Sequence, residues 1–321
     1  MRKIAVLTSG GDAPGENACI RAAVRTALAL GVEVMGIRRG YAGLMEGDME
    51  PLSTRSVGGI SHRGGTFLES SRPPEFKTGE GQRMALRHLD QRGIEGLVVI
   101  GGDGSLTGAL KLHQLGFPVI GVPATIDNDV AFTDVALGVD TALNTVLDAI
   151  DKIKDTASSH QRAFLVEVMG RHSGYLAVMG GIAGAADAIV IPEVETSCEE
   201  LAERVKDAYV RGKAHFIAVI AEGAKPDTQA LAQHLSGREL GFEVRVTILG
   251  HVQRGGSPTA FDRLLATRLG AAAVQQLMEG QKGKMVGLIG NKVVTADLEK
   301  VLSTRKSVDL EFYRLAQILE R

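Results

Sequence analysis

The feature that most limits this chain is a repeated event: a nearly unbroken apolar run ends in a polar turn crowded with glycine. The runs Lys3–Thr8, Gly96–Ile100, Phe164–Met169 and Phe216–Ala221 end this way, at "SGGDAPGEN", "GGDGS", "GRHSG" and "EG", while Pro118–Val122 ends in the acidic turn "PATIDND". A strand that is apolar on both faces must be covered on both, which is the habit of parallel sheets. Further strands are predicted at Glu33–Arg38, Ala188–Ile191 and Glu243–Leu249. Helical patterns separate them at Asn17–Leu30, Gly79–Arg92, Ser105–Leu115, Thr141–Thr156, Cys198–Arg211, Thr228–Leu235 and Phe261–Glu279. This alternation predicts an α/β protein of two Rossmann-like, doubly wound domains with mainly parallel sheets. The 321 residues suit two domains of roughly 150 each. No Pro/Ser-rich linker marks a crossing. The helix from Val139 carries the chain to a second layer and the turn "LGHVQRGGSP" carries it back, so the active site is expected in the cleft between the domains.

A formal net charge of -2 asks for neither nucleic acid nor a membrane surface. Cys19 and Cys198 stand far apart and form no CxxC, which suits thiols in a reducing, cytoplasmic compartment. The N-terminal apolar run has the length of a strand, too short for a signal peptide or a span.

In doubly wound folds, ligands bind where strands end and loops leave for helices. "SGGDAPGEN" offers backbone N–H groups at a helix start, a ready anion site; it also reads as a tight turn capped by Asp12 or Asn17. "GGDGS" matches neither the Walker A pattern nor the dinucleotide fingerprint. Asp103, among Gly101, Gly102 and Gly104, suits a hard cation such as Mg²⁺ shared with phosphates; it also reads as a cap for the helix near Ser105. In "PATIDNDV", alternation along an extended chain sets Asp127 and Asp129 on one side, about 7 Å apart. One carboxylate could take a proton from a hydroxyl while the other holds a metal or its water. A pair of Asx turns is the plain alternative.

Arg72, Arg162, Arg171, Arg245 and Arg254 each lie near a glycine turn or strand end. Their forked guanidinium suits phosphate, although any one alone reads as a solvated surface residue. His251 and Arg254 in "GHVQRGGSP" and Glu222 after "HFIAVIA" are hydrogen-bonding candidates. Arg21 and Arg25, four apart, read as one wet helix face, and Arg211 and Lys213 read likewise.

These segments occur in one order: "TSGGDAPGEN", "RGGTFL", "VVIGGDGS", "TIDND", "SSHQR", "EVMGRHSG", "AEG" and "LGHVQRGGSP". From about residue 3 to 275 the chain resembles the bacterial 6-phosphofructokinases. "GGDGS" alone is also similar to NAD kinases and lipid kinases, which lack the TIDND and GHxQRGG segments. The resemblance implies a homotetramer that uses ATP and Mg²⁺ to phosphorylate the 1-hydroxyl of fructose 6-phosphate, with ADP and phosphoenolpyruvate as effectors. It implies an ATP-binding domain of residues 1–139 with about 256–305. A fructose 6-phosphate and effector domain would take 140–255 with about 306–321. Asp127 would be the base, Asp103 would hold Mg²⁺ and Asp129 would order the metal region. Gly11, Tyr41, Arg72, Pro73, Gly102, Asp103, Gly104, Ser105 and Gly108 would line ATP. Thr125, Arg171 and Arg72 would steady the moving phosphoryl group. Ile126, Met169, Gly170, Arg171, Glu222, His251 and Arg254 would hold the sugar phosphate, with Arg162 and Arg245 reaching in from a neighbouring subunit. Arg21, Arg25, Lys154, Ala185, Asp187, Arg211, Lys213 and His215 would form the effector site.

Several positions depart from the family pattern. Pyrophosphate-using relatives typically carry Asp at 104 and Lys at 124, so Gly104 and Ala124 favour ATP. Pro73 stands where an apolar or aromatic residue is common, Glu16 replaces a common Met, and Phe132 replaces a common Gly. In the effector set Thr54 and Lys154 stand at Arg positions, Ala185 at a Gly and Asp187 at a Glu, which implies a retuned site. A pyrophosphate-dependent enzyme and a catalytically silent regulatory subunit are the rival readings.

Overall fold

The computed structural model describes residues 1–319, in two compact units. The first unit holds Met1–Ile126, Val130–Thr141 and Arg254–Lys306. The second holds Asp127–Asp129, Ala142–Gln253 and the described chain from Ser307 on.

The chain begins with β1 (Lys3–Ser9), α1 (Glu16–Ala29), β2 (Glu33–Ile37), α2 (Gly40–Glu46), β3 (Met49–Leu52) and a 3-10 turn at Pro74–Lys77. It continues through α3 (Gly79–Gln91), β4 (Gly96–Gly101), α4 (Asp103–Gln114) and β5 (Val119–Pro123) into α5 (Val139–His160). In the second unit come β6 (Arg162–Val168), α6 (Tyr175–Ala183), β7 (Ala188–Val190), α7 (Cys198–Val210), β8 (Phe216–Ala221), α8 (Thr228–Ser236) and β9 (Glu243–Ile248). After a 3-10 turn at Gly250–Arg254 the chain adds α9 (Ala260–Met278), β10 (Lys284–Ile289), β11 (Lys292–Asp297) and α10 (Leu298–Ser303) to the first unit. It ends on α11 (Leu310–Leu319) in the second.

The first unit is built on a seven-stranded sheet in the order β11-β10-β5-β4-β1-β2-β3. Its five inner strands are parallel, and β3 and β11 close the edges antiparallel. Every residue of β4 is buried, as a strand covered on both faces requires. On one face α1 packs against α9, and Gly270 makes the approach possible: a Cβ there would lie 2.5 Å from the Cys19 carbonyl oxygen. The second unit carries a four-stranded, wholly parallel sheet in the order β7-β8-β6-β9.

Short apolar runs and their helices form as the sequence predicts, and α5 runs longer than expected. Four features were not anticipated. The helix α2 and the edge strand β3 are too short for a periodic signal. The β10–β11 hairpin turns through Gly290 and Asn291, a two-residue loop of the kind that matches strand twist. The Gly/Ala-rich segment after β6 contains α6, five of whose nine residues are buried.

Candidate active site

The chain leaves β1 for β2 on one side, and β4 lies on the other. The switch point of the first sheet therefore falls between β1 and β4, where Ser9 pairs with Gly101 and both strands run out into glycine-rich turns. Ser105 joins the two turns, its Oγ donating to the Ser9 carbonyl at 2.7 Å. A Cβ on Gly101 would come within 2.5 Å of both atoms of that bond, so only glycine fits there. The Tyr41 hydroxyl donates to the Ser105 carbonyl at 2.6 Å, and its ring stacks on Phe76 with centroids 4.0 Å apart. Gly108 makes room for that ring, since a Cβ there would stand 2.6 Å from it. Tyr41 is 3% exposed, so it braces the turn from behind.

Gly104 is the reverse case. It is exposed and nothing lies within 4 Å of a Cβ placed on it. The fold does not require glycine there, which leaves the space over the turn open. Asp103 is the first residue of α4, whose N-cap is Gly102. Asp103 is not the N-cap residue itself, and its exposed carboxylate stands in the first turn of α4, at the carboxyl end of β4. Among the described residues no group of three or more His, Cys, Asp or Glu gathers for a metal. A single carboxylate beside an open, glycine-lined space fits Mg²⁺ shared with substrate phosphates, not a cage made by protein alone.

Two guanidinium groups converge on the first turn. A Cβ on Gly11 would lie 2.6 Å from Arg254 Nη1 and 3.0 Å from Arg72 Nη2. Arg254 Nη1 donates to the Asp12 carbonyl at 3.2 Å. Arg72 is placed by its neighbours: Ser70 Oγ donates to the Gly10 carbonyl at 2.7 Å, and Ser71 Oγ to the Arg39 carbonyl. Asn17 is not the helix cap; that position is Gly15, at φ 105. Its amide instead donates to the Arg63 and Gly65 carbonyls at 3.0 and 3.1 Å and accepts from Phe67 N at 2.6 Å. The "RGGT" loop is thereby fixed to α1, a role that sequence reasoning missed although Asn17 closes the first motif.

Beyond β5, Ala124 N donates to Gly101 O at 3.0 Å and Thr125 N to Leu137 O at 3.1 Å. Thr125 sits beside Gly102, whose added Cβ would lie 3.4 Å from Thr125 Cβ. The segment is a turn at 126–127, and Asn128 has φ 49. The extended alternation expected for Asp127 and Asp129 is thus replaced by a left-handed kink, which asparagine tolerates better than most residues. Ile126, a candidate for the substrate, is wholly buried.

In the second unit the loops after β6 and β8 interlock. Glu222 N donates to Val168 O at 2.8 Å and Gly223 N to Gly170 O at 3.2 Å. A Cβ on Gly223 would overlap the Arg171 carbonyl, so the loops touch backbone to backbone. Buried Gln253 accepts from Met169 N at 3.2 Å and donates to Gly250 O at 3.0 Å. It fixes the "GHVQRGG" turn to the β6 loop and was not among the candidates. Arg171, Glu222 and His251 are left exposed. Arg162 and Arg245 both pair with Glu243, Arg162 Nε donating to Oε2 at 2.7 Å.

Lys154, Ala185, Asp187, Arg211, Lys213 and His215 lie in the second unit, and Arg21 and Arg25 on α1 in the first. A cavity of ≈ 380 Å³ is lined by Ala185, Asp187 and Lys213 together with Ala316 and Leu319 of α11. Asp187 accepts from Lys213 Nζ at 2.6 Å and from Ile217 N at 2.8 Å. Burial pushes the His215 imidazole below its ordinary 6.5, Lys154 and Lys213 add to the fall, and Asp187 opposes it.

The doubly wound, mainly parallel sheet and the names of the chain's relatives place it among the α/β phosphotransferases of the kinase class. Residues 3–277 match the family described as Phosphofructokinase, and the chain belongs to that family. It is 56% identical over 320 residues to the ATP-dependent 6-phosphofructokinase of Thermotoga neapolitana, covering 99% of this chain and 100% of the relative. Against the enzyme of that name from Halalkalibacterium halodurans the identity is 55% over 319 residues, covering 99% of each. The structure of phosphofructokinase from Saccharomyces cerevisiae superposes with a TM-score of 0.88 at 36% identity, and this chain, covered in full, spans 47% of the yeast chain's length. The pyrophosphate-dependent enzyme of Marinobacter aquaeolei shares the fold, with a TM-score of 0.87 at 24% identity over 97% of this chain and 86% of that one. No helix among the described residues is long and apolar enough to cross a membrane.

Proposed function

We propose that this chain transfers the γ-phosphoryl group of ATP to the 1-hydroxyl of fructose 6-phosphate. The observation that carries the reading is the open switch-point turn, with Gly104 unobstructed and Arg72 and Arg254 converging over Gly11. The first unit would bind the nucleotide through Gly11, Arg72, Pro73 and the Gly102–Ser105 turn, with Tyr41 and Gly108 as its support. Asp103 would hold Mg²⁺, which when bound neutralises charge on the phosphate oxygens. The second unit would hold the sugar phosphate through Met169, Gly170, Glu222 and His251, joined by Arg254.

Asp127 would accept the hydroxyl proton as the sugar oxygen bonds to phosphorus and the bond to the bridging oxygen of ADP breaks. Positioned base catalysis is worth roughly 10²–10⁴ in rate. Thr125, Arg72 and Arg171 would steady the phosphoryl group by electrostatics and alignment, which carry most of the catalysis in such transfers. Asp129 would support the metal region. In a homotetramer Arg162 and Arg245 would serve a neighbouring site, and the second-unit cavity with Arg21 and Arg25 would take ADP or phosphoenolpyruvate. A cytoplasmic location fits this reading.

The test is turnover with Mg²⁺, fructose 6-phosphate and either ATP or pyrophosphate, with Asp127→Asn run beside it. Product with ATP alone, falling at least about a hundredfold in the variant, supports donor and base together. Product with pyrophosphate alone overturns the donor, and no product with either overturns the reading.

A further inference from the structure

Two turns of this chain share one pattern: Arg63-Gly64-Gly65-Thr66 and Arg254-Gly255-Gly256-Ser257. The second supplies Arg254 to the site. The first is tied to α1 by Asn17 and carries no ligand role of its own. Both turns lie in the first unit, and they touch backbone to backbone. A Cβ on Gly64 would stand 2.4 Å from the Gly256 carbonyl oxygen and 3.2 Å from Gly256 N. Gly64 has no positive φ, so space and not conformation asks for glycine there. Gly65 and Gly256 are the opposite case. At φ 66 and 92, with nothing within 4 Å of an added Cβ, they are needed for the bend alone.

One side-chain bond ties the pair. Ser257 Oγ donates to the His62 carbonyl at 2.7 Å and accepts from Arg263 Nη2 at 2.9 Å. Arg263 Nε also donates to the Pro258 carbonyl at 2.7 Å, which fixes the second turn to α9. The first turn is held from its far side. Buried Asn17 donates to the Arg63 and Gly65 carbonyls and accepts from Phe67 N, and the Thr66 hydroxyl meets that of Thr8 on β1 at 2.8 Å.

These contacts close a ring. It runs from Asp12 to Asn17 on α1, through the Arg63–Phe67 loop to Gly256 and Ser257, and back through Arg254, whose Nη1 donates to the Asp12 carbonyl at 3.2 Å. That is the only hydrogen bond of the Arg254 side chain among the described residues. The place of its guanidinium over Gly11 therefore depends on where the backbone of its own turn stands.

We propose that Gly64 and Ser257 are positioning residues for Arg254: the interlock of the two Arg-Gly-Gly turns sets how far the guanidinium reaches over Gly11, and so how well it meets a substrate phosphate. This rests on the reading that Arg254 receives the phosphate of fructose 6-phosphate. Gly64 and Ser257 act only through the Arg254 turn. A forked guanidinium makes its paired bonds at one placement, so a small shift of the turn weakens them.

The measurement is calorimetric binding of fructose 6-phosphate to the full chain, native, Ser257→Ala and Ser257→Thr, each with and without Arg254→Lys. Lysine keeps the charge and loses the fork. Ser257→Ala removes the bond to His62 and is expected to weaken binding about three- to tenfold, the range of one hydrogen bond. Ser257 is exposed, so threonine has room for its methyl and restores binding to within about twofold. Beside Arg254→Lys the same alanine costs less than about 1.5-fold, because the group it positions is gone. Gly64→Ala must push the turns apart and weakens binding by about tenfold or more. Steady-state kinetics gives a second reading: Ser257→Ala raises KM for fructose 6-phosphate and leaves KM for ATP within about twofold. Equal losses with Arg254 and with Arg254→Lys, a rise of both KM values together, or no loss in Ser257→Ala overturns the proposal and leaves the function standing. A native chain that neither binds nor turns over fructose 6-phosphate overturns the functional reading first.

Discussion

Arg162 and Glu243 meet across the parallel β6–β9 pair, Arg162 Nε–H donating to Glu243 Oε2 at 2.7 Å. The other oxygen of Glu243 takes Arg245, so one carboxylate occupies two arginines proposed to serve phosphate. Both arginines hold Glu243 below its usual carboxylate range. Glu243→Gln removes a competitor that any phosphate must displace. KM for fructose 6-phosphate is expected to fall about two- to fivefold, the range an exposed pair can contribute, with kcat unchanged; steady-state kinetics on the assembled protein checks it.

Gly104 separates stability from ligand binding. An added methyl meets no protein atom, and alanine in the first turn of α4 removes backbone freedom worth up to about 1 kcal/mol. Gly104→Ala should leave thermal stability equal or slightly raised while KM for ATP increases at least about tenfold through a misplaced nucleotide. A paired melting curve and ATP titration would show whether the two move apart.

His215, with Asp187, Lys154 and Lys213 as its charged neighbours, gives the proposed effector residues of the second unit a pH dependence. Its pKa is lowered by burial first, so it is neutral at pH 7 and gains charge only below 6.5. A charge gained beside Lys154 and Lys213 strengthens anion binding, so the proposed effectors, phosphoenolpyruvate or ADP, should act at lower concentration as pH falls below 6.5. The same shift costs stability in that direction, because the unfolded chain takes up the proton first. His215→Gln should flatten an effector response measured at pH 7.5 and 6, which otherwise changes by about threefold or more.

Ala185 is held at φ 42, where a Cβ costs about 1–2 kcal/mol. Glycine relieves that strain but adds freedom to the unfolded chain, worth about 0.4–1 kcal/mol. Ala185→Gly should therefore stabilise by about 0.5–1 kcal/mol, read as a higher denaturation midpoint. An unchanged or lower midpoint would show that the methyl's packing in the cavity wall outweighs the strain.

The buried Glu16 carboxyl predicts a pH-dependent stability. Its folded pKa is raised above the ordinary 4.5. The folded chain then keeps a proton that the unfolded chain releases, so stability is full below 4.5 and declines as pH rises toward the folded value. Glu16→Gln, with nothing to ionise, should melt higher than the native chain at pH 7, by roughly 2–4 °C per kcal/mol recovered, and about equally at pH 4.

The inner strands were legible because burial on both faces leaves a run such as "GLVVIG" no polar position. The helix α6 was not, because a segment apolar all round has no face to mark its period. The edges were missed for another reason: β3 has four residues, and its pairing with β2 is set by the sheet it joins. At the site, "GGDGS" and "TIDND" were readable as chemistry, but the geometry between their residues was not. Asn128 enters the left-handed region and ends the alternation on which the Asp127–Asp129 spacing rested. Tyr41 was assigned by motif to the ligand wall, yet its hydroxyl is spent on Ser105. No spacing rule reports that. Nor could it report that Phe132 and Ala185, both at positions where glycine is common, keep positive φ at 60 and 42.

The first unit takes its sheet from chain segments on both sides of the second. Strand β10 pairs with β5 although α5 through β9 intervene. During synthesis the second unit's four strands leave the ribosome before residue 254, while β5 waits as an open edge for β10 to arrive. The glycine-rich turn after β4 thus belongs to the part of the molecule that starts earliest and closes late. A nascent chain stalled between β9 and β10 would present an apolar, unpaired strand, the kind of surface that recruits chaperones.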